Sequence, residues 1–214
     1  MEEHVKIKIC GITRDEEAGF LNEAGVDYAG FVFYEKSKRN ISLKRAAEIK
    51  KKLLPSIKSV AVTVSPDAAM IKKIKSAGFD IVQMHGDIRE EALKASDLPV
   101  WVAVNAGCID EAEEKIEAVE RSLTHTSNAI EAYVFDAPSF GSGKSSNWSK
   151  ARRLDTDKKF VLAGGLTSEN VSEGIGVFLP DIVDVSSSVE GNSGKDKDKV
   201  FDFVNAVRKG KSDE

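Results

Sequence analysis

Cysteine and histidine are scarce in this chain of 214 residues, which contains only two cysteines and three histidines. Cys10 and Cys108 are too few to build a disulfide scaffold, and they do not stand in the paired spacing of a metal site. A disulfide-based fold and a cysteine-pair metal site are therefore excluded. This cysteine usage predicts a cytoplasmic location, where thiols stay reduced.

Long apolar runs are also absent from the sequence. No stretch approaches the ~20 apolar residues that a helix needs to span a bilayer, and the acidic start Met-Glu-Glu-His differs from a secretory signal. Charged residues make up 31% of the chain, both signs are mixed, and the net charge is −4. We therefore expect a globular protein with neither a membrane nor a nucleic acid as its partner.

Short apolar runs rich in Val, Ile and Phe recur along the whole chain. Each run is almost continuous rather than alternating, which is typical of strands buried on both faces of a parallel sheet. The segments between them are amphipathic with helical spacing. The predicted strands are residues 5–9, 28–33, 57–64, 81–84, 100–104, 132–135, 160–163 and 182–185. Examples of predicted helices are residues 14–24, 43–53, 67–77 and 110–123.

Residues that favour helix ends mark several of these boundaries. Thr13, Ser42 and Ser168 precede helical runs and are predicted to be N-caps, because a short side-chain oxygen accepts from the first free backbone N–H groups. Gly25 and Gly78 follow helical runs and are predicted to end them, because glycine adopts the left-handed conformation at no steric cost.

The alternation of eight strands with about eight helices predicts an α/β fold, a single-domain (βα)8 TIM barrel with eight parallel strands. The main alternative, a doubly wound sheet, usually has a glycine fingerprint after its first strand, and Cys-Gly-Ile-Thr does not match it. No linker rich in Pro, Gly or Ser divides the chain. We therefore predict one catalytic domain over residues 1–208 and a frayed tail over residues 209–214.

Two titratable residues stand where predicted strands end. Cys10 follows the first strand and Asp136 follows the sixth, so in a barrel both face the mouth at which active sites lie. A thiolate in that position can act as a base or a nucleophile. The structural alternatives are a buried small thiol and a loop-capping carboxylate. The place of Cys10 at a strand end before Gly11 favours function, whereas both readings of Asp136 stay open.

Four further polar residues are candidates for substrate contacts at this mouth. Arg39 follows the second strand, and arginine binds carboxylates through two parallel hydrogen bonds. Gln83 and His85 end the fourth strand, and His85 is the only histidine at a strand end. Asp184 lies in the last strand. A solvated arginine, a packed histidine and a structural aspartate are the alternatives.

Small residues follow the last two predicted strands. Gly164 and Gly165 close the seventh strand, and Ser186, Ser187 and Ser188 close the eighth. Barrels often bind a phosphate group at this place through backbone N–H groups. A small phosphorylated molecule is therefore the predicted partner.

The stretch Gly-Ser-Gly-Lys-Ser at residues 141–145 resembles the end of a P-loop. The full pattern requires a glycine five residues before Gly143, and Pro138 occupies that position. Nucleotide hydrolysis is therefore rejected. Residues 139–146 are predicted to form a mobile lid over the mouth.

Six short motifs stand in register at the predicted strand ends and together cover nearly the whole chain. They are KICGIT at 8–13, GFVFYEKSKR at 30–39, VQMHG at 82–86, FD followed by GSGK and Trp148 at 135–148, AGGL at 163–166, and VDVSS followed by VEG and GK at 183–195. In this order they resemble the phosphoribosylanthranilate isomerase family of tryptophan biosynthesis.

The resemblance implies an Amadori rearrangement that converts N-(5-phosphoribosyl)anthranilate to 1-(2-carboxyphenylamino)-1-deoxyribulose 5-phosphate, with no metal and no cofactor. It implies that Cys10 is the general base for the sugar C2 proton and Asp136 the general acid for the ring oxygen. It further implies that Arg39 holds the anthranilate carboxylate and that the small residues after strands seven and eight bind the phosphate. A monomer and a homodimer are both compatible with the sequence.

This chemistry requires an ionised thiol beside a protonated carboxyl group. We expect an electropositive mouth to lower the pKa of Cys10, and an apolar wall formed by Phe135 and Phe140 to raise the pKa of Asp136. Ser188 stands where the family usually has glycine, and a side chain there is costly if the backbone takes a positive φ.

Other functions are open to a phosphate-binding barrel. An indole-glycerol-phosphate synthase requires catalytic lysines at strand ends, which the predicted strands do not supply. A pentose-phosphate epimerase requires histidine and aspartate metal ligands, and the histidines are badly placed for that role. A barrel that binds phosphorylated ligands without turnover is the non-enzymatic alternative, and the presence of Cys10, Asp136 and Arg39 together argues against it.

Overall fold

The protein is described by a computed structural model that covers residues 4–123, 129–136 and 152–209. Eight parallel strands form a closed barrel in which each strand pairs with the next and β8 pairs with β1. The predicted (βα)8 barrel is therefore confirmed. Its strands are β1 (Lys6–Cys10), β2 (Tyr28–Phe33), β3 (Lys58–Val64), β4 (Ile81–His85), β5 (Val100–Asn105), β6 (Ile130–Asp136), β7 (Lys159–Ala163) and β8 (Ile182–Val185).

Helices connect the strands and cover the outside of the barrel. They are α1 (Asp15–Ala24), α2 (Leu43–Lys50), α3 (Ala68–Ser76), α4 (Glu90–Lys94), α5 (Ile109–Ser122), α6 (Val171–Phe178) and α7 (Lys197–Lys209). A single 3-10 turn (Ser187–Val189) follows β8 and leads into a two-stranded hairpin of β9 (Glu190–Gly191) and β10 (Gly194–Lys195). None of the helices in the described parts of the chain is long and apolar enough to cross a membrane.

The strands bury apolar side chains on both faces, which explains their continuous apolar sequences. Trp101, Val134 and Val161 belong to a cluster that fills the inside of the barrel. Phe31 and Leu162 belong to the larger cluster between the strands and the helices. Each fully buried side chain of this size contributes roughly 1.5–3 kcal/mol relative to an exposed one, so the two layers fix the strand ends around the mouth.

Three of the predicted helix ends are correct. The hydroxyl of Ser42 accepts a hydrogen bond from the N–H of Arg45 at 3.2 Å and caps α2. Gly25 ends α1 in the left-handed conformation, with φ of 66°. Gly78 follows α3 with φ of 73° and donates its N–H to Lys75.

Two predicted N-caps are wrong. The cap of α1 is Arg14 and not Thr13, because the Glu17 carboxylate accepts the N–H of both residues and takes the place of a threonine hydroxyl. The cap of α6 is Asn170 and not Ser168, because the Asn170 side chain binds the backbone of the preceding turn and delays the helix.

Several predictions fall outside the described residues. These are the lid at residues 139–146, the contribution of Phe140 to an apolar wall, and the tail beyond residue 209. Lys209, which was predicted to begin the tail, is the last residue of α7.

Candidate active site

The carboxyl ends of the strands surround a cavity of about 320 Å³. The cavity collects side chains from strands that are far apart in sequence, because a closed parallel barrel points all its strand ends to one face. Of the eleven predicted site residues, ten line it and Ser188 does not. The ten are Cys10, Arg39, Gln83, His85, Asp136, Gly164, Gly165, Asp184, Ser186 and Ser187.

Cys10 ends β1, and two glycines make room around it. Cys10 pairs in register with Gly30 of β2. A β-carbon at Gly30 would lie 2.9 Å from the Cys10 sulfur, which is too close for a real contact. Gly11 has φ of 88°, and the side chain of Arg39 lies across the position that its β-carbon would occupy. Glycine at both positions therefore lets the thiol and the arginine share the mouth.

The inside of the barrel contains a lysine of β1, so the expectation that the strands supply no lysine is wrong. Lys8 lies on the same face of β1 as Cys10, because side chains two residues apart on a strand point the same way. It is fully buried, and its Nζ donates to Asp184 Oδ2 at 2.6 Å. Burial lowers the pKa of Lys8, but attraction to Asp184 and Cys10 outweighs it and the pKa is raised. Lys8 therefore stays charged beneath the mouth.

The expected lowering of the Cys10 pKa is wrong. Burial raises the pKa of the Cys10 thiol, and the nearby Asp184 carboxylate raises it further. Lys8 and Lys195 act in the opposite direction but do not overcome burial. Removal from water disfavours a thiolate more than the two lysines favour it.

The expected rise of the Asp136 pKa agrees with the structure, but Phe135 does not contribute to it. Burial raises the pKa of Asp136, repulsion from Asp184 adds to the rise, and Lys8 opposes it. Phe135 is not part of the wall, because its ring packs on the helix side against Phe178 with centroids 6.1 Å apart. Burial is therefore the main cause, as expected, but Phe135 does not provide it, and a neighbouring carboxylate adds to the rise.

Two side chains at the end of β4 face the cavity together. Gln83 Nε2 and His85 Nε2 lie 2.9 Å apart. Burial and the charge of Lys8 lower the pKa of His85 to about 4, so its ring is neutral at neutral pH. Gln83 Oε1 and Asp184 Oδ1 are buried and bind no described residue. A ligand with hydroxyl groups could satisfy both oxygens.

Arg39 binds a carboxylate of the protein itself. Its Nε and Nη2 donate to Glu190 Oε1 and Oε2 at 2.5 and 3.1 Å. Glu190 also accepts from Lys195 at 2.9 Å, and Lys38 pairs with it. Burial raises the pKa of Glu190, but hydrogen bonds from these three cations lower it to about 2. Glu190 and Lys195 stand in the last motif but were not among the predicted site residues.

The loops after β7 and β8 come together beside the cavity. Gly164 and Gly165 both have positive φ, of 86° and 63°. The Ser186 hydroxyl donates to the Cys10 carbonyl at 2.9 Å. The Ser188 hydroxyl donates to the carbonyl of Leu166 at 2.5 Å and so ties one loop to the other. Ser188 is not among the described residues with positive φ, so the strain considered for a serine here is absent.

Within residues 4–123, 129–136 and 152–209, no group of three or more His, Cys, Asp or Glu side chains could hold a metal ion. The ionisable groups that line the mouth include the Cys10 thiol, the Asp136 and Asp184 carboxyl groups, the Arg39 guanidinium group and the His85 ring. Together they are suited to general acid–base chemistry on an anionic substrate.

A family model for N-(5'-phosphoribosyl)anthranilate (PRA) isomerase matches residues 7–206. The chain belongs to the phosphoribosylanthranilate isomerase family. An N-(5'-phosphoribosyl)anthranilate isomerase of Streptococcus mutans is 38% identical over 205 residues, which are 95% of this chain and 99% of that relative. Membership of the family confirms the predicted class of activity, an isomerase of tryptophan biosynthesis.

Two solved phosphoribosylanthranilate isomerases have similar structures. The crystal structure from Thermotoga maritima has a TM-score of 0.81 and 34% identity, and covers 96% of this chain and 99% of its own. A second has a TM-score of 0.79 and 33% identity with the same coverage, and contains reduced 1-(o-carboxyphenylamino)-1-deoxyribulose 5-phosphate. The family and the fold are thus supported by both sequence and structure.

Proposed function

We propose that this chain converts N-(5-phosphoribosyl)anthranilate to 1-(2-carboxyphenylamino)-1-deoxyribulose 5-phosphate with Cys10 as the general base and Asp136 as the general acid. One observation supports this proposal above all. Cys10, Asp136 and Arg39 line the same cavity at the carboxyl ends of the strands. The three come from β1, β6 and the loop after β2. No other place in the described chain brings together a thiol and a carboxyl group with a raised pKa.

The reaction begins with opening of the sugar ring. Asp136 donates its proton to the furanose ring oxygen as the bond from that oxygen to C1 breaks. The anthranilate nitrogen supplies the electron pair, and a cationic C1=N double bond forms. A raised pKa suits this role, because a carboxyl group is a donor only while it is protonated.

Proton removal from carbon completes the rearrangement. The Cys10 thiolate takes the C2 proton, and the electrons of that bond form C1=C2 and neutralise the nitrogen. The resulting enol then tautomerises to the ketone product. The two proton transfers are each typically worth 10²–10⁴-fold, and they occur on different groups so that neither has to change role within one step.

The remaining residues bind the substrate under this proposal. Gly164, Gly165, Ser186 and Ser187 surround the phosphate with backbone N–H groups, and Ser188 holds their two loops together through Leu166. The sugar hydroxyls contact Gln83, His85 and Asp184 in the same cavity. They donate hydrogen bonds to Gln83 Oε1 and Asp184 Oδ1, which are buried and bind no described residue. Arg39 binds the anthranilate carboxylate.

Substrate turnover tests the proposal directly, because phosphoribosylanthranilate loses its fluorescence on conversion. Arg39→Ala should weaken productive binding by about 10- to 150-fold, since a hydrogen bond to a charged group is worth roughly 1.5–3 kcal/mol. Arg39→Lys should restore only part of the loss, because lysine lacks the planar fork. The control is Arg45→Ala, an exposed arginine paired with Asp15. Equal activity in Arg39→Ala and Arg45→Ala would assign carboxylate recognition elsewhere.

We also propose that residues 1–208 act as one catalytic domain in the cytoplasm, as a monomer or a homodimer. The free thiols Cys10 and Cys108 fit a reducing compartment. One related structure is of monomers generated from the dimeric isomerase of Thermotoga maritima. Light scattering coupled to gel filtration gives the mass of the assembly, and a mass near 23.2 kDa would indicate the monomer.

A further inference from the structure

The β9–β10 hairpin connects two residues that line the cavity, Ser186 and Arg39. Because β9 and β10 pair antiparallel, Glu190 lies opposite Lys195. Lys195 Nζ donates to Glu190 Oε1 and to the Ser186 carbonyl, each at 2.9 Å. The same Glu190 carboxylate receives both hydrogen bonds from Arg39. A continuous set of polar contacts therefore runs from the loop after β8 to Arg39.

These contacts are shielded from water, which distinguishes them from an ordinary surface ion pair. The side chain of Lys195 is 0% exposed and that of Glu190 is 14% exposed, whereas Lys38, which also pairs with Glu190, is 72% exposed. Charges in such a place hold a defined geometry, because any displacement leaves a group unpaired in a low-dielectric surrounding. Glu190 and Lys195 thus form a fixed support rather than a solvated cluster.

The support leaves one edge of the Arg39 guanidinium group free. Nε and one N–H of Nη2 form the edge that binds Glu190. The second edge consists of Nη1 and the other N–H of Nη2, and no described residue binds Nη1. A guanidinium group can bind a carboxylate on each of these edges, because its five N–H donors lie in one plane. Glu190 therefore fixes the plane and leaves a complete two-donor edge for a second carboxylate.

We propose that Glu190 is a positioning residue that presents the free edge of Arg39 to the carboxylate of the substrate, and that Lys195 keeps Glu190 in register with the loop after β8. The proposal rests on the proposed role of Arg39. It makes Glu190 a determinant of selectivity for ligands that carry the aromatic carboxylate, although Glu190 itself does not touch that group.

The test compares two ligands on the same variants by calorimetry. One ligand is reduced 1-(o-carboxyphenylamino)-1-deoxyribulose 5-phosphate, and the other is the matching phenylamino compound without a carboxylate. Glu190→Gln should weaken binding of the first about tenfold, the loss expected for one disturbed charge-assisted contact, and leave the second within about twofold. In turnover assays KM should rise while kcat changes little, because Glu190 supports binding in the ground state and the transition state alike.

Matched variants separate positioning from a general structural role. Glu16→Gln, an exposed carboxylate on α1, should change neither affinity. Glu190→Asp keeps the charge but shortens the side chain, and should show the same selective loss if Glu190→Gln folds poorly. Lys195→Met should reproduce the selective loss, whereas Lys199→Met should not, because Lys199 Nζ donates to the Glu190 carbonyl and not to its carboxylate.

The outcomes are decisive. Equal weakening of both ligands by Glu190→Gln and Glu190→Asp, or no weakening of either, would overturn the positioning role. If Arg39→Ala weakens both ligands equally, the proposed function of Arg39 fails instead. Selective loss in Arg39→Ala without selective loss in the Glu190 variants would reject this inference alone.

Discussion

Lys8 and Asp184 form an ion pair of 2.6 Å inside the barrel, two residues along β1 from Cys10. Their side chains are 0% and 8% exposed. Removal of one partner from a buried ion pair leaves an uncompensated charge and costs about 3–5 kcal/mol. We expect Lys8→Met to lower the free energy of unfolding by that amount, as measured by urea denaturation.

Replacing Asp184 as well tests whether the uncompensated charge causes the loss of stability. In the double variant Lys8→Met with Asp184→Leu both charges are gone, so most of the lost stability should return. Lys6→Met removes an exposed lysine from the same strand and should stay within about 0.5 kcal/mol of the wild type. A double variant as unstable as Lys8→Met alone would show that the uncompensated carboxylate is not the cause.

Gly30 should be as important as a catalytic group although it has no side chain. A β-carbon there would lie 2.9 Å from the Cys10 sulfur, so Gly30→Ala has to displace the thiol. Since misplacement of a reacting group by about 1 Å costs on the order of 10²-fold, kcat/KM should fall by about that factor. Gly176→Ala is the control, because a β-carbon at Gly176 meets nothing within 4 Å. Equal activity of the two variants would contradict the packing around Cys10.

The pH dependence of kcat/KM follows from the directions of two pKa shifts. The pKa of Cys10 and the pKa of Asp136 are both raised by burial. When the pair holds one proton, that proton is either on Cys10 or on Asp136. Because a free thiol titrates roughly four units above a carboxyl group, the form with a Cys10 thiolate and a protonated Asp136 is the less populated of the two. The profile should be a bell whose acid limb lies above the usual range of a carboxyl group and whose basic limb lies above the usual range of a thiol, each belonging to the pair.

Replacement of the base tests which limb the thiol controls. Cys10→Asp should retain some turnover and move the basic limb down by several units, because a carboxylate titrates about four units below a thiol. The basic limb is the clearer reporter, since His85 has a pKa of about 4 and titrates near the acid limb. An unchanged basic limb in Cys10→Asp would show that it belongs to another group.

Ser188→Gly should affect stability more than binding. The hydroxyl of Ser188 ties the loop after β8 to Leu166 of the loop after β7, and a hydrogen bond of this kind is worth about 0.5–1.5 kcal/mol. We expect the free energy of unfolding to fall by about that amount. Affinity for inorganic phosphate should be unchanged, because Ser188 does not line the cavity. A large loss of phosphate affinity would place the Ser188 side chain in the site.

The sequence was sufficient to predict the order of the strands, the barrel and the residues at its mouth. Parallel strands buried on both faces have continuous apolar sequences, and Cys10 and Asp136 stand where such runs end. The N-cap of α1 was placed one residue early, because the Glu17 side chain supplies the acceptor that Thr13 was expected to supply. Local hydrogen bonds of this kind depend on rotamers that the pattern of apolar residues does not contain.

The charged residues that surround the site could not be predicted from the sequence in the same way. Lys8 stands within an apolar run, and only closure of the barrel shows that it points inwards to Asp184. Glu190 and Lys195 follow the last strand of the barrel in a short hairpin. The local sequence of this hairpin predicts only a loop. Their link to Arg39 joins residues 151 positions apart and exists only in the folded molecule. Accordingly the direction of the Cys10 pKa shift could not be derived from the sequence.

The proposed mechanism is tested most directly by kcat/KM for phosphoribosylanthranilate in the wild type, Cys10→Ala and Asp136→Asn. The reaction is monitored through the loss of substrate fluorescence. Each single variant should lose at least about 10²-fold, the lower value for one acid–base group, while both variants still bind the reduced product analogue. Wild-type kcat/KM in Cys10→Ala across the pH range would contradict the assignment of the base, and with it the proposed acid–base mechanism.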